Sequence, residues 1–308
     1  MNLSVGIVGL PNAGKSTLFN ALATRRLAET APRPFTTIEP HEAVIGVPDK
    51  DLQSLSELIK PEKTIPASVT FIDIAGLVKG AHKGEGLGNQ FLGKIREVDA
   101  IVHVVRAFFD PGVSHQHASH ELGCLEQVLE DIEVINIELE LGGITGKPVI
   151  YVLNVEESDL KNMELIAAVE QKFKEEALLI SAKLEEEFID LTEGERKEYL
   201  SQLGIERSGL ERLIIHAYSL LVLITFYTIK GGQEVHAWSL KRGSSAIEAA
   251  AAVHTDFAKN FIKAEVINVT ELLEIGSWKD AKEQGKVRLE GKDYTVQDKD
   301  VIEFKTGA

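Results

Sequence analysis

Eight residues near the N-terminus carry the clearest chemistry: Gly9-Leu10-Pro11-Asn12-Ala13-Gly14-Lys15-Ser16. They follow a short apolar run, Leu3–Val8, and open a segment of helical spacing. Glycines let the backbone curl so that successive N–H groups converge on one anion. A lysine placed next reaches the terminal phosphates of a nucleoside triphosphate, and the hydroxyl after it reaches Mg²⁺. The expected phosphate-binding set is Asn12, Ala13, Gly14, Lys15, Ser16 and Thr17, with Lys15 also in a catalytic role.

Four more short motifs stand near the ends of apolar runs. Asp73-Ile74-Ala75-Gly76 offers a carboxylate for Mg²⁺ and a glycine N–H to sense the γ-phosphate. Between it and the first motif, Pro34–Pro40 carries two hydroxyls, of which Thr37 is preferred to Thr36 as a metal ligand. The expected metal set is therefore Ser16, Thr37 and Asp73, the last through water. Asn154-Val155-Glu156-Glu157 stands where the base is read, with Asn154, Val155 and Glu157 bordering it. Ser181-Ala182-Lys183 follows the next strand, and Ser181 and Ala182 complete the pocket. Each short motif alone is weak; five in this order, each at a strand end, are strong.

Two details bear on mechanism. Leu77 stands where many GTPases place the glutamine that orients the attacking water, so hydrolysis is expected to be slow or to use another group. The base motif ends in Glu157 rather than the aspartate that accepts two hydrogen bonds from guanine, which loosens guanine selection and admits ATP.

The elements that must position these residues follow from hydrophobic patterning. Apolar, β-rich runs fall at Leu3–Val8, Ala43–Val47, Val69–Ile74, Ala100–Val105, Pro148–Leu153 and Ala177–Ser181. Helical patterns at Asp51–Ile59, Phe91–Glu97, Gln127–Leu141 and Met163–Glu176 alternate with them. Such alternation implies an α/β fold, a mostly parallel sheet with helices on both faces. The second and third strands are expected to be neighbours and to pair antiparallel. Residues 182–220 read as helical, and the pattern then changes. Leu221–Ile229 and Glu234–Leu240 flank a Gly-Gly turn, Ser244 or Ser245 can cap a helix over Ala246–Val253, and short strands recur around Ala264–Val269, Lys286–Leu289 and Val301–Phe304. This is the pattern of a small α+β module of β-grasp type. The expected domains are residues 1–219 and 220–308.

Composition sets outer bounds. Of 308 residues, 44% are hydrophobic and 26% charged, and no apolar run reaches the roughly 18 residues of a membrane span. The N-terminus does not read as a signal peptide, and Cys124 is the single cysteine, which fits a reducing, cytoplasmic setting. The net charge of −15 divides into −14 for residues 1–219 and −1 for residues 220–308. Such a field repels nucleic acid, so no DNA is expected, and RNA contact would need a local patch such as Lys241-Arg242 or Lys259 with Lys263. The acidic face of Gln127–Leu141 is expected to be solvated, and Trp238 and Trp278 to serve packing.

The motifs together resemble the Obg-like ATPase family, also called YchF. The matching stretches include Gly6–Leu18, Pro34–Pro40, Phe71–Leu92 with its Gly-rich run Lys83–Asn89, Asp99–Arg106, Asp131–Leu139, Asn154–Glu157 and, from Leu221 onward, His254–Phe257 and Gly291–Tyr294. The resemblance implies a P-loop G domain followed by a TGS domain of ubiquitin-like fold, Mg²⁺-dependent ATP hydrolysis, and association with ribosomes or with translation and stress machinery. It implies a hydrophobic residue in place of the glutamine, as Leu77 is, and a histidine at the position of His115. His115 is therefore the first candidate to position the lytic water, ahead of His82 and of its neighbour His117; the ordinary alternative is a solvated loop histidine. Asn12 matches relatives in which this side chain helps hold K⁺; the ordinary alternative is a turn-former. The Gly-rich run reads as a switch that orders on the γ-phosphate. One departure is large. The family inserts a long coiled coil where this chain has only Leu141-Gly142-Gly143-Ile144-Thr145-Gly146-Lys147, so functions placed on that arm are not implied here. Two other readings stay open: a GTPase with relaxed base selection, and a nucleotide-binding scaffold with negligible turnover.

Overall fold

The computed structural model describes residues 3–29, 41–74, 87–112 and 120–307. Its strands are β1 (Ser4–Val8), β2 (Glu42–Gly46), β3 (Lys63–Ile65), β4 (Ser68–Asp73), β5 (Ala100–Arg106), β6 (Val149–Asn154), β7 (Glu176–Ile180), β8 (Leu223–Lys230), β9 (Glu234–Lys241), β10 (Phe261–Asn268), β11 (Arg288–Glu290) and β12 (Asp300–Thr306). Its helices are α1 (Lys15–Glu29), α2 (Lys50–Ile59), α3 (Leu87–Glu97), α4 (Leu125–Leu141), α5 (Met163–Phe173), α6 (Ala182–Glu187), α7 (Glu193–Gln202), α8 (Gly209–Leu220), α9 (Ala246–Val253), α10 (Thr255–Lys259), α11 (Val269–Ile275) and α12 (Trp278–Glu283). They divide into two units, Asn2–Ile45 with Val69–Leu221, and Gly46–Ser68 with Val222–Ala308.

In the first unit the sheet order is β2-β4-β1-β5-β6-β7. β1 pairs in parallel with β4 and β5, β5 with β6, and β6 with β7. Strands covered on both faces read as near-continuous apolar runs, and β5 is buried at every position, its His103 and Arg106 included. Ile101, Val105, Tyr151, Leu153 and Leu179 present one face to α3, α4 and α5. α8 packs on the opposite face, where a Cβ on Gly209 would come within 2.8 Å of Ile180. Each such Val, Ile or Leu contributes about 1.5–3 kcal/mol by leaving water. The register places Ile7 beside Asp73, Val8 beside His103, and Asn154 beside Arg106 and Ile180. The carboxyl ends of β1, β4, β6 and β7 thus share one edge, where α/β sheets bind ligands.

The second unit is a sheet of order β11-β10-β12-β8-β9-β3. β8 and β9 form the expected antiparallel hairpin, and β12 lies parallel to β8. α9 closes the core with Ala246 and Ala249 against Phe226, Val266 and Ile302. Ser245 and Glu248 cap it reciprocally. Trp238 stacks on His236 and donates to Thr228 Oγ1 at 2.9 Å, a packing role.

Three expectations need correction. The sequence pattern places residues 46–68 in the first domain, yet they join the second unit. β3 extends the sheet by pairing in parallel with β9, and Asp49 caps α2 while accepting a 2.8 Å hydrogen bond from the buried Tyr227 phenol. A three-residue strand and a cap carry too little periodicity to announce this from sequence. The acidic helix α4 is also less solvated than its composition suggests: Gln127, Asp131 and Glu138 are buried. Gln127 donates to Asp131 and to the Arg106 carbonyl, so these polar groups are internal partners. The helical reading of residues 163–176 overran its end, because Lys174 in the left-handed region stops α5 before β7.

Candidate functional site

Asn154, the last residue of β6, organises the site. Its Nδ2 donates to the Ala13 carbonyl at 3.0 Å and its Oδ1 accepts from the Ala182 amide at 3.0 Å. One buried amide side chain therefore ties the phosphate loop to both base-pocket motifs. Gly14 is required beneath it: its φ is +95°, and a Cβ there would stand 2.2 Å from Asn154 Nδ2. Asn12 occupies the left-handed region at φ 62°, which asparagine tolerates better than most residues.

Lys15 opens α1 and is only 7% exposed. Its ammonium donates to the Leu10 carbonyl at 2.9 Å. Burial pulls its pKa down and the charge of Asp73, at the end of β4, opposes that shift. A poorly hydrated cation of this kind attracts phosphate strongly. Ser16 is exposed on the same turn. Among the described residues no group of three or more His, Cys, Asp or Glu side chains gathers into a metal cage. A single hydroxyl and a carboxylate are the sparse protein donor set that suits Mg²⁺, an ion that keeps waters and takes phosphate oxygens.

At the base end Val155 is buried and its amide donates to the Ile180 carbonyl at 2.9 Å. Ser181 caps α6 through Leu184 N, and Ala182 is buried. Glu157 is exposed on a single 3₁₀ turn, and the Tyr199 hydroxyl lies 3.1 Å from each of its carboxylate oxygens. That hydrogen bond, then partial desolvation, raises the Tyr199 pKa. Thr37, Gly76, Leu77, His82, His115, His117 and residues 80–86 of the Gly-rich run lie outside the described residues.

Three contributors were not anticipated. Tyr199 sits in a helix with no motif to mark it. Arg106, 1% exposed, donates to the Asp110 carbonyl at 2.9 Å, rests over the Phe108 ring and so holds the turn after β5. His103 is 1% exposed, and among the described residues neither ring nitrogen finds a hydrogen-bond partner. Burial first, and then the Lys15 charge, lower its pKa to about 3. Polar residues within an otherwise apolar β5 run were the available signal for the last two.

The chain is similar to known proteins over nearly its whole length. Residues 4–155 match the family model described as 50S ribosome-binding GTPase, and residues 223–307 match the YchF-GTPase C-terminal model, described as a protein of unknown function (DUF933). The chain is 41% identical to the ribosome-binding ATPase YchF of Bacillus subtilis and 40% identical to that of Haemophilus influenzae, each over 99% of both chains. The chain belongs to the YchF family. The structure of the Schizosaccharomyces pombe YchF GTPase superposes with a TM-score of 0.82 at 29% identity, covering 99% of this chain and 98% of that one. The alignment with the Bacillus YchF runs over 371 positions, more than the 308 residues here, in keeping with a short α4–β6 connector. Among the described residues no helix is long and apolar enough to cross a membrane.

Two outcomes follow for this YchF-family site. Asn154→Ala leaves the Ala13 carbonyl and the Ala182 amide without their partner. It should cost about 1–3 kcal/mol in urea unfolding and weaken nucleotide binding at least tenfold by calorimetry; retained affinity would remove Asn154 from its organising role. His103 stays neutral when folded but takes up a proton near pH 6.5 when unfolded, so its contribution to stability falls as pH drops below 6.5 and continues to fall towards about 3. From pH 7.5 to pH 5 wild type should lose about 2 kcal/mol more than His103→Leu, and equal losses would show that His103 does not resist protonation.

Proposed function

We propose that this chain is a slow, Mg²⁺-dependent ATPase that works in the cytoplasm as a nucleotide-controlled switch on ribosomes. The observation that carries the nucleotide site is the Asn154 bridge, which joins the Lys15 loop to the strand ends bearing Val155, Glu157, Ser181 and Ala182. Lys15 and the amides of residues 12–17 bind the phosphates, and Gly76 senses the γ-phosphate. Ser16, Thr37 and Asp73 would hold Mg²⁺, which when bound offsets charge on the β- and γ-phosphates. Leu77 cannot orient water, and His115 takes that task as general base or positioning group.

ATP and the ribosome enter from the relatives' names, ribosome-binding ATPase, and Glu157 supports ATP because it replaces the guanine-reading aspartate. A second reading, GTP hydrolysis with relaxed base selection, is favoured by the GTPase model matched at residues 4–155. Displacement of a fluorescent nucleotide decides between them: ATP should compete at least as well as GTP, and a hundredfold advantage for GTP would establish the second reading. In single turnover, His115→Ala should slow hydrolysis at least tenfold while leaving ATP affinity as it was, and rates in KCl against NaCl report whether Asn12 supports a K⁺ site. The ribosome assignment predicts more cosedimentation with ribosomes under a non-hydrolysable ATP analogue than under ADP. Equal pelleting in the two would reject a nucleotide-controlled interaction.

A further inference from the structure

We propose that Tyr199 selects the base: its phenol fills the fork of the Glu157 carboxylate and denies guanine the paired acceptor it needs. The inference rests on the reading above that Glu157 borders the base.

The geometry is specific. The Tyr199 oxygen is 3.1 Å from Oε1 and 3.1 Å from Oε2 of Glu157. A hydrogen-bond donor equidistant from both oxygens sits between them, on the open side of the carboxylate. Guanine approaches a carboxylate on that same side, because its ring N–H and its exocyclic amine donate side by side, one to each oxygen. The phenol and guanine therefore compete for one fork. Adenine presents an acceptor where guanine presents the ring N–H, so it has no bidentate pair to lose.

The phenol is held in place from behind. Tyr199 lies on α7, whose start is fixed by a reciprocal cap between Thr192 and Glu195. Its ring meets Phe188 edge to face at 5.7 Å, within a cluster that includes Leu184 and Leu200. Withdrawing the hydroxyl would pull the ring from that cluster. Phe188 and Leu184 follow directly on Ser181-Ala182, so one short segment both completes the base pocket and braces the residue that blocks its fork. A carboxylate that keeps a protein donor is also a poorer acceptor for an incoming one, whereas a site whose polar groups await a ligand discriminates strongly.

The test is calorimetry with the Mg²⁺ complexes of non-hydrolysable ATP, GTP and ITP analogues on the full chain. Tyr199→Phe keeps the ring against Phe188 and removes only the hydroxyl. It should shift the ratio of ATP to GTP affinity about tenfold towards GTP. ITP, which lacks the exocyclic amine and can make one hydrogen bond only, should gain less than GTP. Glu157→Asp, which draws the carboxylate back by one methylene from Tyr199, should shift the ratio in the same direction. The proposal is overturned if neither variant moves the ratio towards GTP, or if all three analogues tighten or weaken together, as they would for a merely loosened pocket. Those results, with wild type still preferring ATP, leave the ATPase reading standing. A wild type that binds GTP as tightly as ATP overturns the ATP preference itself, and the blocked fork with it.

Discussion

Two hydrogen bonds made by one buried amide hold the Gly9–Ser16 loop and the start of α6 in a single frame. Asn154 must donate to Ala13 and accept from Ala182 at once, and its amide carries a donor and an acceptor on separate atoms, one for each partner. An aspartate would set a charge against the Ala13 carbonyl, and an apolar residue would leave two main-chain groups unpaired in the interior. The demand runs both ways along the chain. Gly14 has to lack a side chain because Asn154 Nδ2 occupies the space a Cβ would take. Residues 140 positions apart are thus chosen for one another, and the parallel register of β6 with β5 and β7 delivers Asn154 to the right height.

Charge is arranged with the same economy. The first unit is acidic, yet the floor of the phosphate loop holds a desolvated ammonium, Lys15. His103, one strand over, is kept neutral by burial first and then by that ammonium, so the floor carries one positive charge rather than two. Asp73 tempers the cost of burying Lys15 without cancelling it. What is left is a local field that favours polyphosphate inside a molecule whose overall field opposes nucleic acid.

How much of this was legible in the sequence depends on the range of the interaction. The phosphate loop, the strand-end motifs and the β8–β9 hairpin are local in character: turn chemistry, a capping residue and an apolar run announce them. Val155, Ser181 and Ala182 fell where strand ends were expected. The destination of residues 46–68 was not legible, because it depends on β3 pairing with β9, about 170 residues away. Tyr199 was hidden for a similar reason, since its partner Glu157 is 42 residues distant and no periodicity links them. The buried face of α4 misled because acidic composition reads as solvated, whereas Gln127 and Asp131 are satisfied by one another and by Arg106, a strand residue. The roles assigned to Thr37, Gly76 and His115 fall outside the described residues and rest on motif and resemblance.

The short α4–β6 connector explains how a chain of this family can keep its nucleotide site without the coiled coil its relatives lead one to expect. α4 ends in a complete backbone cap. Gly143 takes φ +70° and donates to Glu140, and Ile144 donates to Leu139 at 2.9 Å, the paired pattern that uses up a helix's last carbonyls. Ile144 then packs with Leu139 and Leu92 in the core. A Cβ on Gly142 would meet the end of the Leu92 side chain at 2.6 Å and force it to shift, and the Gly142 carbonyl is claimed by Arg96 at 2.7 Å. Lys147 reaches back to the Val98 carbonyl, and β6 starts two residues later. Gly142, Gly143, Ile144 and Lys147 are each bound to α3, to the turn just after it or to the end of α4, so β6 enters the sheet in register with no help from a longer insertion. Because Asn154 is set by that register, its bonds to Ala13 and Ala182 need no longer insertion at this connector.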